Sequence, residues 1–180
     1  MIIFDTETTG LPRANIVPLN KQPKIIEFAA IKICDRTLNE IDRIEFKCNP
    51  KESLSKRITQ ITGLTDLDLI QQPAFDRFFP QLVEFFFGEK YLVAHNLAFD
   101  IRLLSYELRR LRKLTAFPFP PIQICTVVQT FKLNGYRLSL TKMYNHLFGV
   151  DFEEAHRAMI DVQALTKCVK ELIQRGVIKL

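Results

Sequence analysis

Two acids stand two residues apart in the first apolar run of the chain, Ile2-Ile3-Phe4-Asp5-Thr6-Glu7. In a strand that spacing turns both side chains to one face, about 6.5 to 7 Å apart along the backbone. Like charges on a core strand repel each other unless the strand end is hydrated or a cation lies between them. A third acid, Asp161, lies in line with Leu165, Cys168 and Leu172 when the last apolar segment is wound as a helix, at the centre of its apolar stripe. An ionised carboxylate facing a core protonates, pairs with a cation such as an arginine, or binds a metal. A fourth, Asp100, sits at the edge of the stripe Leu97, Ile101, Leu104, Leu108 and Leu111. It stands one turn into that helix, where the macrodipole favours an acid whatever its function.

Gathered at one point, these four acids from three segments would repel one another, and a divalent cation would remove the conflict. All-oxygen ligation suits Mg2+ or Mn2+, and a pair of such ions promotes in-line attack at phosphorus by stabilising the attacking and leaving oxygens. The chemistry indicated is phosphodiester hydrolysis. His156 precedes Asp161 by five residues, about 140° away if both were helical, which places it on the segment leading into the helix or in its first turn. There it would overhang the acids with a pKa suited to taking a proton from water. His95 and His146 lack that placement.

These residues need a scaffold, and the apolar pattern supplies one. Runs at Ile2 to Thr6, Ile25 to Ile33 and Arg43 to Cys48 read as three strands that could form a meander. Between the first two, Leu11 to Lys24 carries three prolines and two asparagines, a loop long enough to border a site. Phe75, Phe78, Phe79, Leu82, Phe85 and Phe86 have helical spacing, followed by a buried strand at Tyr91 to Ala94. A helix from Leu97 to Lys113, a strand at Ile122 to Cys125, helices after Thr126 and near Ser139, and a last helix through Ile173 complete the pattern. The order βββαβαβα predicts an α/β fold with a mixed sheet flanked by helices.

The 180 residues allow one substantial core, so residues 1–180 are expected to form one domain. The net charge of +5 leans toward a polyanionic partner. The four cysteines form no CxxC pair and no Cys/His cluster, which disfavours zinc and suits reduced thiols inside a cell. No apolar run approaches the roughly 20 residues that span a bilayer, and Met1 leads into apolar residues without a basic region, so a soluble, unexported, cytoplasmic protein is expected. Arg102, Arg109, Arg110, Arg112 and Lys113 lie mostly opposite the apolar stripe of their helix, either as a solvated face or as a track for a polyanion.

Four motifs now fall into one order: FDTETTGL from Phe4, ITGLT from Ile61, VAHNLAFD from Val93 and HRAMIDVQAL from His156. In order and spacing the chain resembles the DEDDh branch of the proofreading exonucleases, which includes the DNA polymerase III epsilon subunit, ribonuclease T and animal three-prime repair exonucleases. The resemblance covers nearly the whole chain. It implies a ribonuclease H-like sheet, two divalent cations (Mg2+ or Mn2+), and removal of nucleotides from the free 3′ end of a nucleic acid. By the same resemblance Asp5, Glu7 and Asp161 would hold one metal with the nucleophilic water. Asp5 would bridge to the second, Asp100 would act through water, and His156 would be the general base. Thr8, Thr9 and Gly10 look like the element that receives the terminal 3′-hydroxyl, and Leu11 like the apolar wedge against the last base. His95 and Asn96 resemble the strand-end pair near the site, touching substrate or orienting the backbone. A polymerase or another replication or repair protein is a candidate partner, although the chain ends at Leu180, soon after the last motif, without the tail by which a proofreading subunit would engage its polymerase. DNA is the expected substrate, with RNA trimming as the alternative and a non-catalytic nucleic-acid binding module as a third reading.

Overall fold

The computed structural model describes residues 1–150, 152 and 157–180, with only the backbone of 132–134 considered. Five strands, β1 (Ile2–Thr8), β2 (Ile25–Ile33), β3 (Glu40–Lys47), β4 (Tyr91–Ala94) and β5 (Ile122–Cys125), form one sheet in the order β3-β2-β1-β4-β5. β1 to β3 form an antiparallel meander, while β4 lies parallel to β1 and β5 parallel to β4. The expected mixed sheet is present, and β2, β4 and β5 have the bounds read from the sequence. The apolar β1 lies at the centre, where both faces are covered, and the charged, alternating β3 lies at the edge.

The helices are α1 (Lys56–Thr62), α2 (Asp66–Leu69), α3 (Phe79–Phe86), α4 (Leu97–Arg110), α5 (Thr126–Asn134), α6 (Leu140–Phe148) and α7 (Ala158–Gln174). Period two sorts the strand residues into two cores. Ile3, Ile31 and Val93 pack with Val162, Leu165 and Val169 of α7. Phe4, Phe28 and Leu92 face the other way, onto Leu82 and Phe86 of α3 and Leu104 and Leu108 of α4. The predicted phenylalanine helix is divided: a 3-10 turn covers Phe75–Phe78, and α3 follows with a proline in its first turn. Proline has no N–H to give to a preceding turn, so a new helix begins there. α4 stops at Arg110 instead of Lys113, because the chain passes through a left-handed residue, Arg112, at φ 57°. α1 and α2 were not anticipated. They hold seven and four residues, too few for a period to show. Their boundaries rest on a Ser55 cap, on Gly63 at φ 71°, and on Thr65.

Candidate metal centre

Asp5 and Glu7 continue the face of β1 that carries Ile3, and so point toward α7. α7 places Asp161 in its first turn, 8% exposed, above the same strand. One carboxylate oxygen from each of Asp5, Glu7 and Asp161 can lie within 4.8 Å of the others, a separation that one or two small oxygen-ligated cations can bridge. Asp100 arrives from the opposite side. After β4, Asn96 takes a left-handed conformation (φ 69°, ψ 46°) and turns the chain into α4, whose first turn carries Asp100 at 1% exposure. Thr6, on the α4 side of β1, donates to Asp100 Oδ1 from its backbone N–H at 3.1 Å and from its hydroxyl at 2.7 Å. The acid placed by sequence at the edge of a stripe is thus fully covered and tied to the strand between Asp5 and Glu7.

The electrostatics match that crowding. Burial, then Asp100, Glu7 and Asp161, raise the Asp5 carboxyl well above its ordinary range. Burial, followed by the charges of Asp161, Glu27 and Asp100, pushes Glu7 up to about 8. Burial raises Asp100 to about 7, against the lowering effect of the Thr6 hydrogen bonds. Without a cation, several of these groups keep protons they would lose in water. The donor set, all carboxylate and partly desolvated, fits a hard divalent ion.

A fifth acid escaped the sequence reading. Glu27 of β2 faces Glu7 across the ladder and is 1% exposed. Its carboxylate accepts from the Arg157 guanidinium at 3.0 to 3.3 Å and from the Ala158 N–H at 3.1 Å. Arg157 is the N-cap residue of α7, and its carbonyl accepts from the Asp161 N–H at 2.9 Å. The pair therefore fixes the start of the helix that presents Asp161. The signal lay in the apolar run Ile25-Ile26-Glu27-Phe28-Ala29, where one charge had no stated partner.

His156 lies outside the described residues. His95 turns both ring nitrogens into the protein, Nδ1 to the Thr126 hydroxyl at 2.9 Å and Nε2 to the Leu138 carbonyl at 3.0 Å. Substrate contact, one of its two expected roles, has no free nitrogen to use; His95 joins β4 to α5 and to Leu138, two residues before α6. Asn96 is exposed at the turn into α4.

Beyond Glu7 the strand opens onto a cavity of about 400 Å³, walled by Thr8 to Leu11, by Ile58 and Ile61 of α1, and by Phe99. The Thr8 hydroxyl donates to the Gly10 carbonyl at 2.8 Å, and Thr9 exchanges hydrogen bonds with Lys24. Leu11 is 74% exposed at the rim. The long loop behind it is well anchored. Buried Gln22 bonds to Arg13, Ala14 and Val17, and Arg110 donates to the carbonyls of Leu19, Gln22 and Pro23 while pairing with Glu107. Arg110 was expected on the basic outer face of its helix; instead it is a clamp, because those three carbonyls have no strand to bond.

Residues 2–169 match the exonuclease family. The chain belongs to that family. Curated relatives include the PolC-type DNA polymerase III of Clostridium perfringens, 31% identical over 94% of this chain, and that of Bacillus cereus, 31% identical over 97%. The chain spans only 11% and 12% of those proteins. In structure it resembles Exonuclease X in complex with 5′ overhanging duplex DNA (TM-score 0.68, 21% identity, 97% of this chain and 92% of that one). It also resembles the nuclease domain of 3′hExo, a DEDDh family member bound to rAMP (TM-score 0.76, 18% identity, 98% and 92%). The fold is therefore the ribonuclease H-like exonuclease fold expected from the motifs, and the chain is a nuclease of hydrolytic type. No helix among the described residues is long and apolar enough to cross a membrane.

Proposed function

We propose that residues 1–180 form one exonuclease domain that removes nucleotides from the 3′ end of DNA and releases nucleoside 5′-monophosphates. The observation that carries this reading is the junction of two features: the carboxylates of Asp5, Glu7 and Asp161 converge, and Glu7 also lines an apolar cavity closed by Leu11, Ile61 and Phe99. An acidic pole beside an apolar recess suits a terminal base in the recess with its phosphate at the acids.

Asp5, Glu7 and Asp161 would hold two Mg2+ or Mn2+ ions, which would supply positive charge at the attacking and leaving oxygens. Thr6 ties Asp100 to β1 between Asp5 and Glu7, and the Glu27–Arg157 pair keeps Asp161 in place. The backbone of Thr8 to Gly10 would receive the terminal 3′-hydroxyl, and Leu11 would wedge against the last base. His156 would take the proton of a water that attacks phosphorus. The bond from phosphorus to the upstream 3′-oxygen breaks, that oxygen takes a proton from solvent and becomes the new terminal 3′-hydroxyl, and the terminal nucleotide leaves with its 5′-phosphate. DNA is favoured by the PolC-type DNA polymerase III relatives, which also make replication proofreading a fitting setting. The test is a side-by-side assay of 3′-labelled single-stranded DNA and RNA of one sequence with Mn2+. Immediate release of labelled mononucleotide, faster from DNA, supports the proposal; faster release from RNA would turn it to RNA trimming.

A further inference from the structure

A second concavity, about 780 Å³ in volume, runs along the outer side of α4 between that helix and the start of α5. It begins at Asn96, three residues before Phe99, which walls the terminal recess, and continues past Arg102 to Arg109. From Ala98 to Arg109 the helix rises about 16 Å. Arg137 adds a third guanidinium from beyond α5. Its lining contains no aspartate or glutamate. None of the three arginine side chains forms an ion pair among the described residues, in contrast to Arg110 and Arg157, which are committed to Glu107 and Glu27. Val127 and half-exposed Val128 give the cleft an apolar wall.

Unpaired guanidiniums beside an apolar wall, in a cleft without acids, suit a single nucleic-acid strand, with phosphates on the arginines and bases against the aliphatic wall or stacked on guanidinium planes. A duplex keeps its bases paired and stacked inside, so it would bring its phosphates to the arginines and leave the apolar wall without a base to cover it. We infer that this cleft carries the single strand upstream of the scissile phosphate, leading it past the turn at Asn96 to the acidic centre. The inference rests on the exonuclease reading and extends it to a strand-length preference.

The test compares the wild-type chain with the variant Arg102→Gln, Arg109→Gln, Arg137→Gln, whose melting curve reports that the fold is kept. Binding of a fluorescent 12-nucleotide single-stranded DNA is measured in EDTA, so that it stands apart from cleavage. Each single-strand phosphate neutralised contributes about 0.7 to the salt slope, so three arginines should contribute about two. Between 50 and 200 mM salt, wild-type binding should then weaken by about twentyfold more than binding by the variant. With Mn2+, the advantage in kcat/KM of the 12-mer over a dinucleotide should collapse in the variant. An unchanged salt slope, or an unchanged length advantage, would overturn the inference. Weaker binding of a blunt duplex with single-strand binding intact would overturn it in favour of a complementary strand. A wild type that binds the 12-mer with the expected slope and does not cleave it would keep the cleft and refute the exonuclease reading.

Discussion

Replacing Glu7 with glutamine should remove activity and yet strengthen the metal-free fold. Its carboxyl lies at about 8 instead of its ordinary 4.5, through burial and the charges of Asp161, Glu27 and Asp100. An acid raised on folding adds stability below its unfolded pKa of about 4.5 and loses it as pH climbs through the folded value. The metal-free wild type should therefore weaken between about pH 4.5 and 8. At about 1.4 kcal/mol per pH unit, that displacement sets a ceiling near 5 kcal/mol, and sharing of protons with Asp5 and Asp100, whose carboxyls are raised too, reduces the part Glu7 can return to roughly 2 to 3 kcal/mol. For a chain of this size each kcal/mol moves Tm by about 2 to 4 °C. Glu7→Gln should melt roughly 5 to 10 °C above wild type at pH 8 in EDTA, with the gap closing toward pH 4.5. Mn2+ at a hundred times its Kd should add about 2.7 kcal/mol to the wild type, and most of that gain should be missing from the variant. Thermal melts across this pH range with and without Mn2+ decide it. A variant that melts below wild type at pH 8 without metal, or one with a full metal response, would refute the reasoning.

His156→Ala should lower turnover by about 10²-fold or more while the Mn2+ dependence of Tm stays close to wild type; near-normal turnover would move the general base elsewhere. Asp161→Asn should abolish cleavage and leave the metal-free protein as stable as wild type or more so, whereas a large drop in Tm would mark Asp161 as the partner of a structural cation. Arg157→Gln leaves Glu27 buried among the other acids without its bidentate partner and should cost roughly 3 kcal/mol by urea denaturation. Because it loosens the start of α7, the same change should also weaken Mn2+ binding, and a variant with unchanged stability would make the pair incidental.

The sheet was legible because β2 and β4 are predominantly apolar runs that end at turn residues, and Asp161 because one charge on an apolar helical stripe breaks a regular pattern. Asp5 and Glu7 were legible for the same reason. Long-range partners were not. Nothing local ties Thr6 to Asp100, Arg157 to Glu27, or Arg110 to the carbonyls of Leu19, Gln22 and Pro23; those contacts join residues 87 to 130 positions apart and exist only once the sheet is assembled. The helical period correctly put Arg102 and Arg109 on an outer face and mistook Arg110 for one of them, because a side chain's direction on a helix does not reveal that an unpaired loop lies within its reach. The phenylalanine run misled in another way: its spacing suits either a 3-10 turn followed by a helix or one longer helix, and Pro80 decides between them.

The central claim is that the acids from β1 and α7 converge to hold divalent metal at the site of phosphodiester hydrolysis. Anomalous diffraction from crystals soaked in Mn2+ and a nucleoside 5′-monophosphate tests it most directly. The account requires a peak about 2.0 to 2.2 Å from oxygens of Asp5, Glu7 and Asp161, with the phosphate against it and the base in the recess of Leu11 and Phe99. Acids found hydrogen-bonded to one another or to an arginine, with manganese bound elsewhere and the nucleotide outside the recess, would contradict it.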